Sequence, residues 1–302
     1  MPLIITMPPW LLVGNLYPLA TTTYPLDLVS GATGAWSTRL LTTAYTGACL
    51  RVRRSSDDAE QDIGFIGQTI DYAALLDFVG SGDGFVRTWY SQDGGTTRDL
   101  VQTTGTNQPQ IVSSGALYTT IGGYPGLHFT TSRYLNSDVI PESVYLGINA
   151  GTIFALWDAD TATSTADGNT IWCNRGGWNG TFIQTISGTP NIRVFGYDGT
   201  EDFITTSGYA TDTPYVTAWR HASGTLYSYV DATTEVGSVS HGTELTLTAS
   251  FCVGQDSQTS NGSSGFDGII TEVITYSAAL SSGDLGTVGD AMASPFGKTW
   301  GS

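Results

Sequence analysis

The chain has 302 residues, 40% of them hydrophobic, so it can bury the core of one large domain or two modest ones, and a disordered chain is excluded. Charged residues are only 13% of it and Lys298 is its single lysine, which excludes a helix-rich protein, since solvated helix faces draw on Lys, Glu, Arg and Gln. Eleven basic against 27 acidic residues give a formal charge of −16, so a phosphate backbone is repelled and nucleic-acid binding is excluded as a main activity.

Residues 1 to about 25 read as an extended arm, because Pro2, Pro8, Pro9, Pro18 and Pro25 interrupt apolar residues that cannot then form a helix. Trp10, Leu11, Leu12, Val13, Leu16 and Tyr17 of this arm need a surface to bury against, either their own domain or a neighbouring subunit. No Lys or Arg precedes the apolar stretch, which is unlike a signal peptide. No window approaches the roughly 20 continuous apolar residues of a membrane span.

Residues 26–302 contain no linker or fixed repeat and read as one domain. Short runs rich in β-branched and aromatic residues follow one another: Leu50 to Arg53, Phe85 to Tyr90, Thr152 to Trp157, Thr170 to Cys173, Thr181 to Ile186, Ile192 to Tyr197, Tyr215 to Trp219, Thr225 to Val230, Leu245 to Val253 and Gly268 to Tyr276. Gly, Asn, Asp, Ser and Pro punctuate them, which is the pattern of an antiparallel sandwich. Alternation in Thr225–Val230 and in Leu245–Phe251 marks strands with one buried and one wet face. Two helices are predicted, Asp71 to Phe78 closed by Gly80, and a weaker one within Ser281 to Met292. Cys49, Cys173 and Cys252 are an odd number without a C-x-x-C pair, so they read as small buried hydrophobes rather than as disulfides or zinc ligands.

The segments Ser37–Leu41, Ala44–Gly47, Arg51–Asp58, Asp62–Phe65, Thr88-Trp89-Tyr90-Ser91-Gln92-Asp93-Gly94 and Gln108–Val112 resemble a module shared by the B-type α-L-arabinofuranosidase catalytic domain and by many bacteriophage virion proteins. The resemblance covers roughly residues 26 to 135. The remainder, with Gly151–Trp157 and Phe266–Ser277, is similar to a laminin-G or concanavalin A-like jelly roll, so the resemblance implies an all-β two-sheet sandwich. Two departures matter. The loop after the Trp-Tyr pair usually reads Asp-Gln-Ser-Gly in these enzymes, and here Ser91 and Asp93 are exchanged; the adjacent cysteines and the acidic nucleophile motif are missing too, so no catalytic residue is carried over.

Glycoside hydrolysis needs two carboxyl groups facing one pocket. The candidates are Asp57, Asp58, Glu60 and Asp62 in the first half and Glu201, Asp202, Asp267 and Glu272 in the second, and Glu272 stands out as an acid within an apolar strand. The Arg51, Arg53 and Arg54 cluster beside four acids reads as an internal clamp. Trp172, Asn174, Arg175 and Trp178 combine aromatic faces with amide and guanidinium donors in a Gly-rich turn, the chemistry of a sugar-binding rim, with core packing of both Trp as the alternative. Asp158, Asp160 and Asp167 start like a calcium loop but carry Ala162 at its fifth position; no cofactor is otherwise expected. Taken with the phage-like module, these features point to a virion structural protein, a head decoration or tail-associated subunit. Its expected partners are other virion proteins, copies of itself and glycans. The enzyme alternative is an arabinofuranosidase-type glycosidase acting on polysaccharide.

Overall fold

A computed structural model describes residues 23–94, 98–119, 123–137, 140–141, 150–160, 169–176, 179–185, 191–243, 248–255 and 265–301. The proposed arm, apart from Thr23 to Pro25, lies outside them, as do Trp178 and Asp167.

Two antiparallel layers make up the fold. The first runs Gly237–Ser240, Thr225–Val230, Tyr215–Ala222, Gly151–Ala159 and Gly268–Tyr276, with Ala32–Ser37 and Leu127–Phe129 end to end along its far edge. The second runs Glu201–Ser207, Asn191–Tyr197, Asn179–Thr185, Asn169–Gly176, Phe251–Val253, Leu135–Asn136, Leu100–Val101, Gly84–Trp89, Leu50–Arg54 and Glu60–Ile63. Gln110–Ser113 pairs with strand 84–89 and meets His128, joining the two layers. The all-β sandwich expected from the punctuated runs is therefore the fold.

Alternation of side chains explains why the central strands are apolar throughout. On strand 151–159, Ile153, Ala155 and Trp157 face the second layer, while Phe154 and Leu156 face the helix Ser282–Ala293 and its Leu285, Val288 and Met292. A strand covered on both faces has no wet side to record as a polar alternate. Between the layers Phe251 stacks on Trp36 at 5.4 Å and on Trp172 at 6.0 Å, and Trp172 meets Trp219 edge-on at 6.3 Å.

Both predicted helices form. Asp71 caps Tyr72–Val79 by accepting from the Ala74 amide at 3.0 Å, and Gly80 ends it at φ +69°; Ser281 caps the second by accepting from the Asp284 amide. Pro25–Leu28 adds a short helical turn with proline in the first turn, so the extended reading stops before Pro25. Strand 201–207 escaped the sequence reading because it is an edge strand with polar alternates and an exposed Phe203 that Arg193 covers. All three cysteines are buried, as the sequence suggested.

Candidate functional site

Strand 50–54 turns Leu50 and Val52 inward, which leaves Arg51 and Arg53 on the outer face opposite Asp62 and Glu60. The acids hold the arginines as the sequence suggested. Arg54 grips Asp57 with two contacts of 2.7 Å, Arg51 and Arg87 share Glu60 at 2.9 and 2.6 Å, and Arg53 reaches Asp58 at 2.5 Å. Arg54 and the Ala59 amide hold Asp57 down at a pKa of about 2. Burial raises Glu60, but hydrogen bonds from Arg87 and Arg51 outweigh it and leave this carboxyl below its ordinary range. Neither acid is suited to donate a proton near neutrality.

Beside this cluster lies a pocket of about 630 Å³ lined by Arg53, Asp58, Glu60, Phe85, Gln108 and Arg133 among others. The Arg53 guanidinium sits 4.9 Å and that of Arg133 5.4 Å from the centre of the Phe85 ring. Arg53 is bonded to Gln108 and to the Gly105 carbonyl. Arg133 differs: it donates to the Gln110 side chain at 3.0 Å and has no carboxylate partner among the described residues. Burial lowers its pKa, yet a guanidinium stays charged. The pocket thus holds a guanidinium beside the Phe85 ring that makes no direct ion pair among the described residues and feels Asp83 only at longer range. Sequence reasoning missed Arg133, which stands alone in the chain with no local pattern around it, although Gln108 and Gln110 belong to a motif quoted above.

Glu272 is not available for surface chemistry. Its carboxyl is 0% exposed and accepts from Arg39 Nε at 2.8 Å, Arg39 Nη2 at 2.9 Å and the Ser37 hydroxyl at 3.0 Å. Burial pushes its pKa up, against the pull of Arg39 and Ser37. Arg39 continues to the Ala291 and Thr23 carbonyls, and Gln92 donates to the Ser37 and Arg39 carbonyls while accepting from the Leu41 amide. The exchanged loop residues belong to the same frame: the Ser91 hydroxyl donates to Asp93 at 2.7 Å, and Asp93 pairs with Arg98. In this chain the exchanged hydroxyl and acid therefore bond to each other. Asp99 accepts from the Ser91 amide, and burial together with the nearby Asp93 raises its pKa.

Two of the four residues read as a binding rim are buried. Trp172 and Asn174 are both 0% exposed, so neither presents a face to a ligand from solvent. Trp172 sits in the inter-layer core, which is the packing alternative, because strand 169–176 is an interior strand. Arg175 is near the end of that strand, with its side chain outside the described residues, and Trp178 lies outside them altogether. Of the calcium-loop acids, Asp158 is buried at the end of strand 151–159, and Asp160 binds His128 at 2.8 Å and stands near Asp267.

No protein-family profile matches the sequence, and no curated protein matches it. Solved structures do share the fold. An arabinofuranosidase complexed with arabinofuranosyl-α-1,2-xylobiose is similar at a TM-score of 0.69 and 15% identity, over 90% of this chain and 64% of that one. A GH54 α-L-arabinofuranosidase soaked with a cyclic sulfate inhibitor is similar at 0.66 and 14%, with the same coverage. The binding domain of Paraclostridial Mosquitocidal Protein 1 follows at 0.52 and 12%, over 82% of this chain and 52% of that one. At such identities the likeness is one of fold, and the chain spans 64% of the length of either arabinofuranosidase. No helix among the described residues is long and apolar enough to cross a membrane.

Proposed function

We propose that this chain is a carbohydrate-binding β-sandwich whose pocket beside Phe85 takes a sugar bearing a carboxylate, and that it acts without hydrolysing its ligand. The observation that carries this is Arg133, a guanidinium lining the pocket that has no direct ion pair among the described residues, whereas the pocket acids Asp58 and Glu60 are held by other arginines. A guanidinium binds a carboxylate through paired hydrogen bonds, and an aromatic floor suits the apolar face of a sugar ring. An arabinofuranosidase of the same fold holds an arabinofuranosyl xylobiose, which supports a glycan as the ligand class.

The same reading extends to a structural subunit of a bacteriophage particle, a decoration or tail-associated lectin. It is supported by the 13% charged composition and by the apolar residues of the arm. Contacts made by such a surface need few ion pairs and tolerate changing salt. Deleting residues 2–24 should leave a folded sandwich that no longer enters its oligomer; normal assembly of the truncated protein removes this role.

Binding is tested on an array of acidic and neutral oligosaccharides, with Arg133→Met as the control. The expected result is binding confined to acidic glycans and weakened at least about tenfold in the variant, the loss of one charge-assisted contact. A blank array, or equal binding by a variant that melts like the parent, removes the pocket. Hydrolysis is tested with 4-nitrophenyl α-L-arabinofuranoside. Release of nitrophenol that Asp99→Asn abolishes would favour the enzyme instead, since Asp99 is an acid with a raised pKa beside a second carboxylate.

A further inference from the structure

Strands 191–197 and 201–207 are joined by Asp198-Gly199-Thr200, with Gly199 at φ +118°, a conformation that favours glycine. The tight turn folds Asp198 back. Its Oδ1 accepts from the Thr200 amide at 3.1 Å and hydroxyl at 2.8 Å, and its Oδ2 accepts from the Gly242 amide at 2.6 Å. A Cβ on Gly242 would stand 2.5 Å from that oxygen, so this approach requires glycine there. On the next strand Asp202 Oδ2 lies 2.8 Å from Nδ1 of His241, whose side chain is 0% exposed. One carboxylate oxygen each from Asp198 and Asp202 and a ring nitrogen of His241 all lie within 4.8 Å of one another.

A second, independent observation adjoins this group. His221 is 1% exposed, its ring centre is 4.8 Å from that of His241, and neither ring nitrogen has a hydrogen bond of good geometry, only a weak contact with the His241 backbone. A buried polar group without a partner is destabilising, and such groups in folded proteins mark an unseen water or ion or a functional role. Here two nitrogens of one ring lack a good hydrogen bond beside a set of oriented donors.

We propose that Asp198, Asp202 and His241 bind a divalent transition ion of the zinc class, with a water in the fourth position that hydrogen-bonds to His221. Mixed imidazole and carboxylate donors favour such an ion over calcium, which takes oxygen ligands only. The hydrogen bonds from Thr200 and Gly242 are the supporting contacts that a ligating carboxylate needs to hold its orientation. The open fourth position is that of a three-ligand site. The site uses none of the calcium-loop residues and none of the glycan pocket.

The test titrates Zn²⁺ alone into chelator-stripped protein, with cysteines blocked, by calorimetry, and records the visible spectrum with Co²⁺. One ion per chain is expected, with a Co²⁺ band of tetrahedral form. Asp202→Asn and His241→Gln should abolish it, and His221→Gln should weaken it about tenfold, as loss of a supporting contact does. Asp198→Asn, at a partly exposed turn, should abolish the band while leaving the melting temperature of the metal-free protein within a few degrees, which keeps the test valid if His241→Gln unfolds. Asp267→Asn reports on the separate His128, Asp160 and Asp267 group and should change nothing. No stoichiometric binding, or binding lost in Asp267→Asn and kept in Asp198→Asn, overturns the assignment.

Discussion

Replacing Arg39 with Met should destabilise the protein by about 4 kcal/mol near neutral pH, and the cost should shrink on acidification. The substitution removes two of the three hydrogen bonds to a carboxyl that is 0% exposed, leaving only the 3.0 Å bond from Ser37. Hydrogen bonds to charged groups contribute about 1.5–3 kcal/mol each, and breaking a buried ion pair from one side costs about 3–5 kcal/mol. The two routes agree. Glu272 already sits above its ordinary value of 4.5 because burial raises it. For a group raised on folding, its contribution is fully present below the unfolded pKa and is lost as pH rises through the folded one. Without Arg39 the folded value climbs further, so the penalty grows from about pH 4.5 upward. Urea titrations at pH 4.5 and 7 of the parent, Arg39→Met, Glu272→Leu and the double variant would measure this. The double variant should recover most of the loss, because it leaves no buried charge. A single-variant cost under about 1 kcal/mol at pH 7, or one that does not depend on pH, refutes the account of this pair.

Trp172→Ala should cost about 3–5 kcal/mol, the usual range for emptying a large aromatic site, as a lower denaturation midpoint; a near-neutral change would mean that Trp172 is not in the core. His221 is held at a pKa of about 4 by burial and by the neighbouring His241, against the weaker pull of the His241 backbone and Asp198. In metal-free protein its contribution is present above about pH 6.5 and is lost as pH falls toward 4, a change of about 3 kcal/mol at 1.36 kcal/mol per unit. Denaturant titrations across that window should show the slope, and His221→Leu should flatten it. Gly254 lies at φ +89° with Phe129 Cδ1 only 2.1 Å from where a Cβ would stand. Gly254→Ala should therefore lower stability by about 3 kcal/mol through overpacking and strain, while Gly208→Ala, at a positive φ with open space, should cost less.

The sequence by itself determined the fold class, because periodicity, turn residues and helix caps are local signals. The Asp71 cap and Gly80 stop lie where the chain marks them, and strand 225–230 alternates as its residues do. It also determined that Arg51, Arg53 and Arg54 would be clamped by acids, since a hairpin sets those residues opposite one another. Only the tertiary structure decided the sites. The polar and aromatic turn around Trp172 reads as a core hairpin or a rim, and Trp172 itself is buried because strand 169–176 is flanked by strands 179–185 and 251–253 under the opposite layer. Glu272 looked like a candidate catalyst until Arg39, 233 residues away, proved to be its partner. The pocket brings Arg53 to Arg133, and the proposed metal site brings Asp198 to His241, through pairings between strands far apart in the chain. Such convergence depends on the registry of the layers, which no stretch of neighbouring residues encodes.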